Sequence, residues 1–104
     1  MGRIAYTRGT VPDDVAHALT SAHGVSASDF CLSLAQSLSE LGYEVIREVK
    51  VGERGDGRTG RVDIVASRDG LRVAIECDRK TPRMKSIVKL GRVAADVRLV
   101  VCRE

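Results

Sequence analysis

Two short apolar runs, "RVDIVAS" at 61–67 and "LRVAIECD" at 71–78, stand on either side of a tight turn built on Arg68, Asp69 and Gly70. Alternating β-branched runs joined by Asp-Gly read as an antiparallel hairpin. No other part of the chain limits the fold as strongly, because a hairpin decides which side chains share a face. In the first run Val62, Ile64 and Ala66 fall on one side and Asp63 on the other. In the second, Leu71, Val73, Ile75 and Cys77 oppose Arg72, Ala74, Glu76 and Asp78. The pattern predicts that Asp63, Glu76 and Asp78 turn away from one core and toward one place, at a register that the turn alone leaves open.

The rest of the chain supplies elements to pack on this hairpin. "TVPDDVAHALTSAHG" reads as a short helix, with Thr10 as cap, Pro12 near its start, Asp13 and Asp14 in the positive first turn and Gly24 beyond its end. "SASDFCLSLAQSLSEL" reads as a second helix, capped by Ser26 or Ser28, with Phe30, Leu34, Leu38 and Leu41 on one face. "YEVIREVKV" follows as a half-exposed strand, then the glycine-rich, charged stretch "GERGDGRTG" as a loop. After the hairpin, "TPRMKSIVKLGRVAA" predicts a helix with Thr81 as cap and Pro82 first. Met84, Ile87, Val88, Val93 and Ala94 would pack inward, leaving Lys85, Lys89 and Arg92 as a basic stripe. "VRLVVC" is a nearly continuous apolar run, as in a strand buried on both faces and paired parallel to an earlier one.

The expected fold is therefore α/β with a mixed sheet. Its core, over 26–104, runs helix, strand, β-hairpin, helix, strand, and residues 1–25 are added as an N-terminal helical appendage. A chain of 104 residues suits one domain with one modest core.

Charge is distributed unevenly. Residues 1–46 carry two Arg against five acids, net −3, whereas 47–104 carry fifteen Lys and Arg against nine acids, net +6. The asymmetry suggests a polyanionic partner, and three aromatic residues (Tyr6, Phe30 and Tyr43) offer little for stacking unpaired bases. Double-stranded DNA held through its phosphates fits better. Cys31, Cys77 and Cys102 lack any spacing typical of zinc and read as reduced buried thiols, and His17 and His23 as surface or packing residues. With no apolar leader at 1–10 and no run of eighteen apolar residues, the expectation is a soluble cytoplasmic protein without a membrane partner.

Three converging carboxylates repel one another unless protons or cations neutralise them, and a hard divalent cation does this while retaining water. The same acids could instead pair with Arg61, Arg72 or Arg79 on a solvated sheet face. The basic helix that follows Asp78 opens with an N-terminus of the kind that attracts phosphate.

The order helix, "GYEVIREVKV", glycine-rich loop, "RVDIVA", turn, "AIECD", basic helix and "VRLVVC" resembles the core of the PD-(D/E)XK nuclease superfamily, including restriction-endonuclease-like and Holliday-junction-resolvase-like proteins. The resemblance covers residues 28–103. It matches Asp63 to the family's first acid and Glu76 to the acid of its E-x-K motif, while Asp78 stands where the lysine usually does, giving E-x-D. It implies an Mg²⁺- or Mn²⁺-dependent endonuclease that hydrolyses phosphodiesters in DNA. Asp63 and Glu76 would hold the metal, Asp78 would be a further ligand or orient the attacking water, and Lys80 or Lys85 would supply the missing cation. Asp29, and less so Glu40, could add an acid from the preceding helix. Arg58 and Arg61 in the charged loop, with Arg79, Arg83, Lys89 and Arg92, become phosphate contacts. Cutting both strands with one site per chain implies a homodimer. The E-x-D departure leaves a second outcome open, a DNA-binding or assembly protein that keeps the fold without the chemistry.

Overall fold

A computed structural model describes residues 2–53 and 59–104. Its elements are β1 (Arg3–Arg8), α1 (Asp13–Ser21), α2 (Ala27–Glu40), β2 (Glu44–Glu53), β3 (Thr59–Arg68), β4 (Leu71–Asp78), α3 (Met84–Leu90) and β5 (Val97–Cys102). The five strands form one mixed sheet in the order β1-β5-β4-β3-β2, parallel only between β4 and β5. Among the described residues, no helix is long and apolar enough to cross a membrane.

The hairpin forms as its turn chemistry requires. Arg68 pairs with Leu71, and Asp69 and Gly70 between them both take positive φ, 53° and 81°. Two consecutive positive φ values match the twist of the flanking strands, and Asp-Gly adopts them at low cost. α3 then carries the chain over the sheet so that β5 lies parallel to β4, buried along almost its whole length between β4 and β1.

Each face of the sheet has its own core. α1 and α2 cover one, where Phe30, Leu34 and Leu38 of α2 pack with Val15 and Leu19 of α1 onto Ile64, Val73, Ile75, Leu99 and Val101. Spacings of three and four residues bring those helical side chains onto one side. Ser26 caps α2 by accepting the Asp29 amide, and Tyr43 ties α1 to the sheet by donating its hydroxyl to Asp14 at 2.9 Å. α3 covers the opposite face, where Leu90 and Val93 meet Val62, Val65, Ala74 and Val100.

The first 25 residues are not an appendage. β1 pairs antiparallel with β5 and forms one edge of the sheet, and α1 is built into the larger core. α3 is shorter than the sequence predicts: it begins after Arg83, without a side-chain cap from Thr81, and ends at Leu90. Met84, expected inside, is 74% exposed.

Alternation also fails at one level of the sheet. Val62 belongs to the α3 side while Ile64 and Ala66 belong to the α1/α2 side, so β3 changes face at Asp63. β2 does the same, with Val45 on one side and Val49 and Val51 on the other, around Glu48 at φ 54°. Arg47 pairs with Ile64 and Val49 with Val62, which sets Glu48 opposite Asp63 and makes the two irregularities one shared kink.

Candidate functional site

The β3–β4 ladder ends at Ile64 and Ile75, one residue before Asp63 and Glu76. Side chains replace the ladder from there. The Asp63 amide donates to Glu76 Oε2 at 2.8 Å, and the Cys77 amide donates to Asp63 Oδ2 at 2.8 Å. The kink that flips β3 leaves room for a carboxylate to enter between the strands, and the two exposed amides supply its hydrogen bonds.

Asp63 and Glu76 meet in this gap from opposite sides. Asp63 is half-buried and lines a pocket of about 230 Å³ on the α2 side, shared with Ser28, Cys31, Arg47, Cys77 and Arg83. Glu76 is 0% exposed and lies under α3, where Lys89, only 8% exposed, brings its Nζ to 2.5 Å from Oε1. That Oε1 has no aligned hydrogen bond, so its contact with Lys89 is one of charge. Burial, and then the neighbouring charge of Asp63, push the Glu76 carboxyl up to about 7, while Lys89 and the Asp63 amide pull it down.

Asp78 has a different role. Its Oδ2 accepts the Arg83 amide at 2.9 Å, and its Oδ1 accepts the Ser86 hydroxyl at 3.0 Å and the Arg83 guanidinium at 2.7 Å. At 4% exposure it anchors the start of α3 and has both oxygens committed. With Asp78 placed there, and only seven residues in the helix, the N-terminus of α3 is not a phosphate site.

The three acids expected at one place are therefore divided: Asp63 and Glu76 adjoin, and Asp78 serves the helix. Among the described residues, no three His, Cys, Asp or Glu side chains gather closely enough to hold a metal ion. As a donor set, the adjoining carboxylates of Asp63 and Glu76 are hard oxygen donors of the kind a divalent cation takes, whereas Asp78, committed to α3, does not fit such a site.

The cation beside the acids is neither of the two expected. Lys80 and Lys85 are exposed and form no ion pair among the described residues, whereas Lys89, assigned by its spacing to a surface stripe, turns inward to Glu76. Arg92 and Lys85 remain exposed, so the stripe is broken at its centre. Arg79 is exposed and pairs with Glu104 at 2.7 Å, and Arg83 is committed to Asp78. Arg61 faces Lys50 across β2 and β3, and both line a pocket of about 470 Å³ with Lys89. Like charges directly opposite on neighbouring strands are unfavourable, and an anion between them would relieve the repulsion. Arg54 and Arg58 lie outside the described residues. Asp29 sits in the first turn of α2, and Glu40 at the other end of that helix; neither lines the pocket.

No family model, curated protein or solved structure matches the chain.

Proposed function

We propose that the chain is a nuclease-type domain acting on the phosphodiester backbone of double-stranded DNA, with Asp63, Glu76 and Lys89 at its chemical centre. One observation carries the reading: two carboxylates from neighbouring hairpin strands meet where the ladder opens, with an ammonium 2.5 Å from one of them. The order α2-β2-β3-β4-α3-β5, with its parallel β4–β5 pair, supports it as the helix–strand–hairpin–helix–strand order of a restriction-endonuclease-like core.

In this reading Lys89 supplies from α3 the cation that the E-x-D sequence lacks at Asp78. Lys50 and Arg61, at the mouth of the neighbouring basic pocket, hold a phosphate, and Lys89 neutralises charge that builds up beside Glu76. Glu76, titrating near 7, can take or release a proton at Oε1 in the neutral range. Mg²⁺ or Mn²⁺, when bound by Asp63 and Glu76, supplies a water of lowered pKa and charge stabilisation at the phosphate. Cleavage of both strands requires two such sites, hence a homodimer.

Complete burial of Glu76 favours a second reading, in which the pair with Lys89 is a structural tie and the domain binds DNA without cutting it. Supercoiled plasmid incubated with the protein and Mg²⁺ or Mn²⁺ separates the two. Nicking that disappears in Asp63→Asn and Glu76→Gln and survives in Asp78→Asn supports the nuclease. Salt-sensitive binding without nicking supports the second reading, and absence of both rejects each.

A further inference from the structure

We infer that the pocket where β1 and β5 pass the C-terminal end of α3 binds a phosphate group between Arg8 and Arg98. The two arginines stand directly opposite one another in the antiparallel pairing of β1 with β5. Both lie on the α3 side of the sheet, as Tyr6 and Val100 do two residues away on their strands. Side chains so placed start about 5 Å apart, and like charges there destabilise the pairing. Neither guanidinium has an ion-pair partner among the described residues. Arg98 donates from Nε to the Leu90 carbonyl and from Nη2 to the Val93 carbonyl, each at 2.9 Å. Those bonds close the end of α3 and fix the guanidinium in place, leaving Nη1 without a hydrogen bond among the described residues. Capping accounts for Arg98 but not for the second cation set against it. Arg8 is exposed, and its side chain makes no hydrogen bond among the described residues.

The pair opens on a pocket of about 440 Å³, lined also by Tyr6, Ile87 and Asp96, a volume within the range of small-molecule sites. Asp96 is the one acid among its lining residues, and its carboxylate is engaged with β4: Oδ2 accepts the Arg72 amide at 2.9 Å, while the Asp96 amide donates to the Arg72 carbonyl at 2.9 Å. Two guanidiniums against one carboxylate leave the pocket net positive. Gly9, at φ 91°, turns the chain out of β1 so tightly that a Cβ there would stand 2.5 Å from the Asp96 carbonyl oxygen, which holds Arg8 at the rim. Guanidinium forks match the oxygens of phosphate, and two of them balance its double charge. Tyr6 and Ile87 offer an aromatic and an apolar wall beside that charge. The site shares no lining residue with the Asp63 pocket or with that of Lys50, Arg61 and Lys89, and β4 separates its strands from β3 and β2. It therefore stands apart from the nuclease reading. A free nucleotide and the backbone of a DNA duplex present the same phosphate chemistry to it.

Amide chemical shifts followed during titration with inorganic phosphate, against sodium chloride at matched ionic strength, test the site. The expected result is a saturable change concentrated at Arg8, Gly9, Gly91 and Arg98, with an affinity about tenfold weaker in Arg8→Gln. Melting temperatures give a second readout. Phosphate should raise that of the wild type and barely that of Arg8→Gln, whereas in chloride alone the variant should melt no lower than the wild type, because it removes a like-charge pair. Changes that chloride reproduces, that spread over all the basic residues, or that Arg8→Gln leaves intact would overturn the inference. Two further arms identify the source. A nucleoside monophosphate that binds more tightly than inorganic phosphate, while the nucleoside without phosphate does not bind, assigns the site to a nucleotide. A short DNA duplex that moves the same amides and displaces inorganic phosphate assigns it to the duplex backbone. Asp63→Asn should bind phosphate as the wild type does, so loss of nicking and loss of this site are read independently.

Discussion

The backbone amide of Asp63 donates to the side-chain carboxylate of Glu76 at 2.8 Å, so that a charged group stands where β3 and β4 have stopped exchanging backbone bonds. This arrangement has a pH signature. In the folded protein Glu76 titrates near 7, above its ordinary value of 4.5. The folded state then holds a proton that the unfolded chain has already lost, so the contribution is fully present below about pH 4.5 and disappears as pH rises through 7. Relative to Glu76→Gln, whose side chain stays neutral, the wild type should lose on the order of 3 kcal/mol of stability between pH 4.5 and 8. Denaturant titrations of both proteins over that range provide the check, and parallel curves would contradict the assignment.

Removing the partner cation should expose the same carboxylate. In Lys89→Met the cost should be small at pH 5, where Glu76 is protonated, and grow to about 3–5 kcal/mol by pH 9, where an uncompensated charge is buried. Adding Glu76→Gln to this variant should abolish the pH dependence. Stability of the single and double variants at the two pH values measures the coupling.

Asp78 should be a stability residue. Asp78→Ala removes the acceptor for both the Arg83 amide and the Ser86 hydroxyl, at a cost of about 1–3 kcal/mol. Amide hydrogen exchange over Met84–Leu90 should accelerate more than exchange in α2. Asp78→Lys, which would restore the E-x-K spelling, should destabilise further, because the lysine would replace an acceptor beside Arg83. Unchanged exchange in α3 would remove the anchoring role.

The turn offers a local test. Gly70 sits at φ 81°, and Gly70→Ala should cost about 1–2 kcal/mol without altering strand register, measurable as a lower denaturation midpoint with an unchanged slope.

What the sequence makes legible here is what short-range chemistry decides. Asp69-Gly70 dictates the hairpin turn, Ser26 and the spacing of Phe30, Leu34 and Leu38 dictate α2, and the apolar run at 97–102 marks a strand buried on both sides. β1 is missed because its six residues hold arginine at each end, and their stability as a strand comes from pairing with β5, almost the full chain length away. Lys89 reads as surface by its spacing from Lys85 and Arg92; it turns inward because Glu76 is already buried beneath it, which only the folded sheet reveals. Asp78 is recognisable as an acid on the same face as Glu76, but not as an anchor for α3, since that helix begins later than its proline suggests. The meeting of Asp63 with Glu76 is legible as a possibility; its route through a gap in the ladder, with Asp63 opening to one side and Glu76 to the other, depends on an irregularity that strict alternation cannot express.

The shared kink at Glu48 and Asp63 makes β2 and β3 a matched pair with respect to insertions and deletions. Losing a residue from either strand away from the kink would move the side chains beyond it to the opposite face while the neighbour kept the old frame. Losing Glu48 and Asp63 together would keep the frame and erase the acid. The carboxylate of the candidate site thus belongs to the very residue at which two strands change sides in step.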